Sequence, residues 1–209
     1  MRIGKNSSLY NVGYNDWDNK GKALGTATKP LSVPFAPLPA LASFGAAGGS
    51  DVKVTAKTAV RLDAGSYRAL KVDPKAQLVL TGGVYTFASW DVGKEASVRV
   101  EAPSEIRVLG VVNVGEKATV GVKAGVVGLD ARDLVVQVAG VNSPNSTAGA
   151  ANSAFTAGKN SKVDAYVLAP NGTVRVGEGV FGTGSFIGRW VILGKGTRIG
   201  RWTDINKGR

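Results

Sequence analysis

From residue 58 onward the chain carries short apolar bursts, each an aliphatic pair flanking one other residue and separated from the next by turn residues. Val60/Leu62 flank Arg61, Leu78/Leu80 flank Val79, Val98/Val100 flank Arg99 and Val120/Val122 flank Gly121, at steps of 18, 20 and 22 residues. A second series runs Leu70/Val72, Trp90/Val92, Val112/Val114 and Val136/Val138, at steps of 20, 22 and 24. A third runs Tyr85/Phe87, Ile106/Val108 and Val127/Leu129, both steps being 21. Side chains at i and i+2 of a strand point the same way, so each burst reads as a short strand with one apolar side. Three interleaved series with one shared period predict a coil of three strands per lap, corresponding strands of successive laps lying in columns. A β-sandwich of evenly spaced strands would have no reason to keep three series in phase.

Near the C-terminus the step tightens to six residues: Phe181-Gly182, Ile187-Gly188, Leu193-Gly194, Ile199-Gly200 and, with Gly lost, Ile205-Asn206. A strict left-handed coil would keep that hexad throughout. The longer, variable laps of the middle suit a right-handed one. The predicted class is therefore all-β: a single-stranded parallel β-helix, a three-faced solenoid of about twenty residues per lap, probable helix being absent because no window sustains a 3.6-residue period with caps. Residues 1–50 read as an N-terminal extended or cap segment and 51–209 as the coils. The small-residue stretch 139–160 reads as an excursion from one lap. Within 1–50, "KPLSVPFAPLPA" (29–40) is predicted to be extended, because proline fixes φ and has no donor. Its expected place is along one face or over the first lap, where solenoids need an edge covered.

Composition supports this reading. The 29 Gly and 8 Pro suit short strands and many turns. No run of apolar residues is long enough to span a membrane. The chain holds no Cys and no His, which removes Ser-His and Cys-His nucleophiles, His bases, and thiolate or imidazole metal sites. Neither a cofactor nor a metal is expected. The formal charge of +11 favours acidic partners such as anionic polysaccharide, but the basic residues are dispersed, and a nucleic-acid role would rest on charge alone. The opening "MRIGKNSSLYNVGYND" lacks a signal peptide's apolar region, so the sequence reads as a piece of a longer, exported chain.

Several motifs together resemble a module of large secreted or surface proteins of bacteria. They comprise Gly65 and Tyr67, then Leu78, Leu80, Gly82, Gly83, Tyr85 and Phe87, then Ala102-Pro103, and finally Ala169-Pro170-Asn171-Gly172-Thr173 ahead of Phe186-Ile187-Gly188. In lap style the chain is also similar to the bactofilins, polymer-forming bacterial β-helices. The resemblance implies a β-solenoid in an extracellular or surface protein, and it carries over no catalytic residue.

Candidate chemistry is sparse. The hexads suggest an acyltransferase of hexapeptide-repeat type, but such enzymes use a histidine base. A polysaccharide lyase would gather acids around Ca²⁺, and here acids are scattered. The densest group, Asp130-Ala131-Arg132-Asp133, reads as a solvated corner with a local ion pair, Asp130 and Arg132 on one side and Asp133 opposite. Arg189-Trp190 and Arg201-Trp202 are the candidate ligand-binding residues, a stacking platform with cations for sugar rings or anions. The plainer reading has each Trp covering the last laps with Arg extended over it. The expected function is a non-enzymatic structural or adhesive solenoid that associates with itself. The alternative is a glycan-binding module for acidic polysaccharide.

Overall fold

The computed structural model describes residues 38–141 and 153–200, and within the first 28 residues the backbone of six two-residue strands. The strands stack in parallel register on three faces. Face 1 holds Ala59–Leu62, Gln77–Leu80, Ser97–Val100 and Thr119–Val122, then the opening residues of Lys162–Val176 and Phe181–Leu193, and last Arg198–Gly200. Val60, Leu78, Val98, Val120, Val163, Gly182 and Ile199 form one vertical file, at steps of 18, 20, 22, 43, 19 and 17 residues. The chain is thus an all-β parallel solenoid, and the first predicted series is one of its columns.

Face 2 begins with the first halves of Gly65–Val72 and Gly83–Val92 and continues through Ser104–Val108 and Leu134–Val138 into the middle of the two long strands. Face 3 begins with Val52–Val54 and the second halves of Gly65–Val72 and Gly83–Val92. It continues through Val112–Val114 and Phe155–Ala157 into the ends of the long strands. Alternate residues point inward and are buried, filling one continuous core. In the early laps that core is aromatic: the Tyr67 and Phe87 rings stack at 5.5 Å, and Phe87 meets Trp90 at 6.2 Å. Later laps place Val and Ile in the corresponding files, so the filling thins from rings to branched aliphatics.

The Tyr motifs are corner hooks. Tyr67 donates its hydroxyl to Asp63 O at 2.7 Å, and Tyr85 donates to Leu62 O at 3.0 Å while accepting from Gly82 N. Both fix the bend from face 1 to face 2, which accounts for a Gly shortly before each Tyr. Gly82 has φ +115°, and a Cβ there would lie 2.6 Å from Ala102 Cβ in the next lap, so the backbone conformation and the space both demand glycine. The bend from face 3 to face 1 follows another rule. Lys75, Glu95, Lys117 and Asn160 all have positive φ, and each donates its N–H to the carbonyl of the next lap's corner, as in Lys75 N to Lys94 O at 3.0 Å. The hydrogen-bond ladder therefore runs on through the turn, offsetting the strain of left-handed non-glycine residues.

Two predicted series need correction. Val127 is 99% exposed, and the third series passes from Phe87 and Val108 to Val138 instead of to Leu129. Val136/Val138 consequently leave the second series, whose next members are Phe155/Ala157. The cause is a pair of insertions in one lap. Residues 123–133 bulge from the corner between faces 1 and 2, and residues after Val138 leave before Phe155 restores face 3. The predicted excursion at 139–160 is therefore shorter at its end, because 155–157 is a buried strand; its residues 142–152 lie outside the described residues.

The chain's beginning meets the far end of the stack. Arg2–Ile3 pairs with Ile192–Leu193 on face 3, and Ser8 pairs with Arg198 on face 1. A further short lap then follows, Asp18–Asn19 on Arg2–Ile3 and Lys22–Ala23 on Ser8–Leu9, with Ala27–Thr28 on Val12–Gly13. Residues 38–50 run lengthwise along face 2. Ala42 N donates to Gln137 Oε1 at 3.0 Å, Arg107 Nη1 donates to Ser43 O, and Arg68 N donates to Ser50 O in the first lap. Thr86, between Ser66 and Arg107 in the same outward file, is correspondingly buried. Of the proline run, 38–40 belong to this segment; 29–37 lie outside the described residues.

The corrected register predicts opposite outcomes for two valines. Val138→Asp places a carboxylate in the closed core and should destabilise by more than about 3 kcal/mol. Val127→Asp should stay within about 0.5 kcal/mol of the parent, as surface changes do; urea unfolding of both variants measures the difference.

Candidate functional site

Arg189 and Trp190 lie in Phe181–Leu193 where it passes from face 2 to face 3, close to the C-terminal end of the stack. Trp190 registers with Thr173, just beyond the shift that accommodates Pro170-Asn171-Gly172 at the same corner. Arg189 is exposed, and its guanidinium carbon stands 4.6 Å from the Trp190 ring centroid. One indole face is thus already occupied by a cation from the same chain. A sugar ring would have to displace the guanidinium or use what remains of a half-buried side chain. Arg201 and Trp202 lie outside the described residues, so the structure brings together one of the two predicted pairs.

A shallow groove of about 290 Å³ opens on face 2, lined by Val84, Pro103, Glu105, Arg132, Asp133 and Val135 among others. Its wall is the insertion at 123–133. There the chain forms a 3-10 turn, Ala131–Asp133, capped by Asp130. Asp130 accepts from Arg132 N and from the Arg132 guanidinium, while Asp133 accepts from Asp130 N at 2.8 Å. The local ion pair expected here is present, but a turn replaces the expected strand, and Asp133 folds back onto Asp130 instead of opposing it. Glu105 accepts from Arg107 Nε at 2.8 Å and Gln137 Nε2 at 2.7 Å. The groove's charged groups therefore face one another. They do not converge on a point where a reacting atom could sit.

Face 1 shows the same self-neutralisation. Glu101 bridges Arg61 and Lys123 across three laps. Asp164 accepts from Thr183 Oγ1 and lies 3.1 Å from Lys162 Nζ. A Cβ on Gly121 would lie 3.0 Å from Asp164 Cβ, so this glycine leaves a notch beneath the carboxylate. Arg99, below the notch, donates to Val122 O, and its pKa is held below the usual guanidinium value by burial, against the opposing pull of Asp164. Among the described residues no three acidic, His or Cys side chains gather as a metal site, and no helix is long and apolar enough to cross a membrane.

What the side faces neutralise, the ends leave open. Val52–Val54 and Ala59–Leu62 each have a described strand partner on one edge only, toward 70–72 and 77–80. At the opposite end the last edge is supplied by residues 18–28. These end strands were not singled out from the sequence. A faint signal existed: Ile3 and Leu9 stand six residues apart, the step seen at 181–205, and Arg2-Ile3-Gly4 repeats Arg198-Ile199-Gly200.

No family model matches the chain, and no curated protein or solved structure matches it.

Asp130 supplies a pH test. Its carboxyl is held below the ordinary value first by the hydrogen bond from the Arg132 side chain and further by Arg132 N and the guanidinium charge, against burial. A depressed folded pKa contributes stability that is full above the unfolded value, about 4, and is lost as pH falls through the folded one. Hydrogen-exchange protection of the 130–134 amides should fall on acidification below that value, and in Asp130→Asn this acid-dependent step should be missing.

Proposed function

We propose that the chain is a non-enzymatic structural and adhesive β-solenoid module of a bacterial extracellular or surface protein, and that it associates with copies of itself. The observation that carries this reading is the ladder itself. Parallel pairing continues from Val52–Val54 to Arg198–Gly200 and onto the strands of residues 2–28, while the side faces bind up their own charges. A stack of this kind offers its surroundings a stiff shape and free strand edges, and such edges are templates for another strand. The resemblance to bacterial surface modules adds support, since Tyr67, Gly82 and Tyr85 serve here as corner hooks that any such coil would need. Concentration-dependent light scattering with elongated particles in negative-stain images is the expected result. A monodisperse monomer at high concentration would overturn the self-association.

The second reading is a module for acidic polysaccharide. It is favoured by the exposed Arg189 on Trp190 and by the formal charge of +11. Under it, retention on an anionic polysaccharide column should drop sharply in Arg189→Ala and Trp190→Ala. Retention that falls with salt but is unchanged in both variants would assign binding to diffuse charge and remove the site.

A further inference from the structure

Residues 2–28 complete an edge that belongs to the last laps, yet in sequence they precede the first. In the structure they reach that edge because the chain doubles back: it pairs at the upper end, then descends along face 2 through residues 38–50 to begin the first lap at Val52. Little holds the descent in place. Across the middle of face 2 the recorded hydrogen bonds to the stack are Ala42 N to Gln137 Oε1 at 3.0 Å and Arg107 Nη1 to Ser43 O at 3.3 Å.

Resting on the self-association proposed above, we infer that residues 2–28 also bind the upper end of a second copy, by exchange of these strands between chains. Every pairing seen within one chain, Arg2–Ile3 on Ile192–Leu193 and Ser8 on Arg198, is then made between two chains with the same register. Only the path of residues 29–50 differs. In the closed form that segment must span the seven laps of face 1, about 29 Å at the usual strand spacing. In the exchanged form it crosses only from its own short laps to its own first lap, which lies directly above them. Twenty-two residues extend to roughly 73 Å, so chain length permits both paths. The segment contains Pro30, Pro34, Pro37 and Pro39. Prolines favour extended backbone, and a stiff connection resists the reversal that the closed form requires. Because the donated strands and the receiving edge are different surfaces, each copy has one of each free, and the contact propagates as an open series instead of closing as a dimer.

The absence of native cysteine allows a direct test. Registered residues of neighbouring strands are about 4.8 Å apart, within the range a disulfide bridges. The full-length double variant Arg2→Cys/Ile192→Cys is unfolded, refolded at low and at high concentration, oxidised, and run denatured without reductant. The expected result is a monomer-sized cross-linked band at low concentration and a ladder of covalent multimers whose share grows with concentration. Ile3→Cys/Leu193→Cys repeats the test at the adjacent register should the first pair disturb folding. Adding Gln137→Ala, which removes the acceptor for Ala42 N, should raise the multimer share at a given concentration. Particles that form while cross-links stay within single chains would overturn the exchange and leave the self-association standing. An absence of both particles and multimers would remove both.

Discussion

The backbone register between one lap and the next is the constraint from which everything else follows. Each strand hydrogen-bonds to the strand one lap away, so inward side chains must fall in line with inward side chains. A slip of one residue would turn a whole strand's apolar set to water. Length can therefore vary only at corners. The longest lap demonstrates the point: 43 residues separate Val120 from Val163, yet the same file of face 1 resumes without a shift. The corners obey the same rule. Where the chain bends from face 3 to face 1, residues as unlike as Lys75, Glu95 and Asn160 share one left-handed conformation, because the ladder needs their N–H groups aimed at the next lap.

The same stacking organises the charges. Residues that alternate outward along a face come within reach of residues one lap away, and opposite signs often meet there: Lys75 with Glu95, Lys94 with Glu116, Lys159 with Glu178. Such pairs are exposed, and each is worth little to stability. Their effect is on the surface, since they leave the side faces with few concentrated sites. A net positive charge can thus coexist with grooves whose ions are already engaged, as with Arg132 and Asp130, or Glu105 with Arg107 and Gln137.

The periodic part of this fold was legible in the sequence because burial writes itself as alternation. Leu78, Val98 and Val120 could be placed in one column from spacing alone. Val127 and Leu129 could not be told from a strand, since an exposed loop and a buried one both tolerate an aliphatic pair; what decides is which lap lies beneath, and that is information about distant residues. The turn at Ala131–Asp133 was hidden for a similar reason, its capping hydrogen bonds being local and carrying no period. Of the candidate site, the cation and indole of Arg189 and Trp190 were legible as a pair, but not that the guanidinium would cover the ring. The strands of residues 2–28 were the least visible. They are two residues long, and their apolar pattern is too brief to register as a series.

The placement of those strands has a mechanical consequence. With Arg2 beside Ile192 and Ser8 beside Arg198, both extremities of the described ladder lie at one end of the rod. Tension drawn between them would peel apart a few neighbouring backbone contacts and leave the lower laps slack. The body of the solenoid would then hang beside the line of pull, as a pendant does, and not transmit the load along its length.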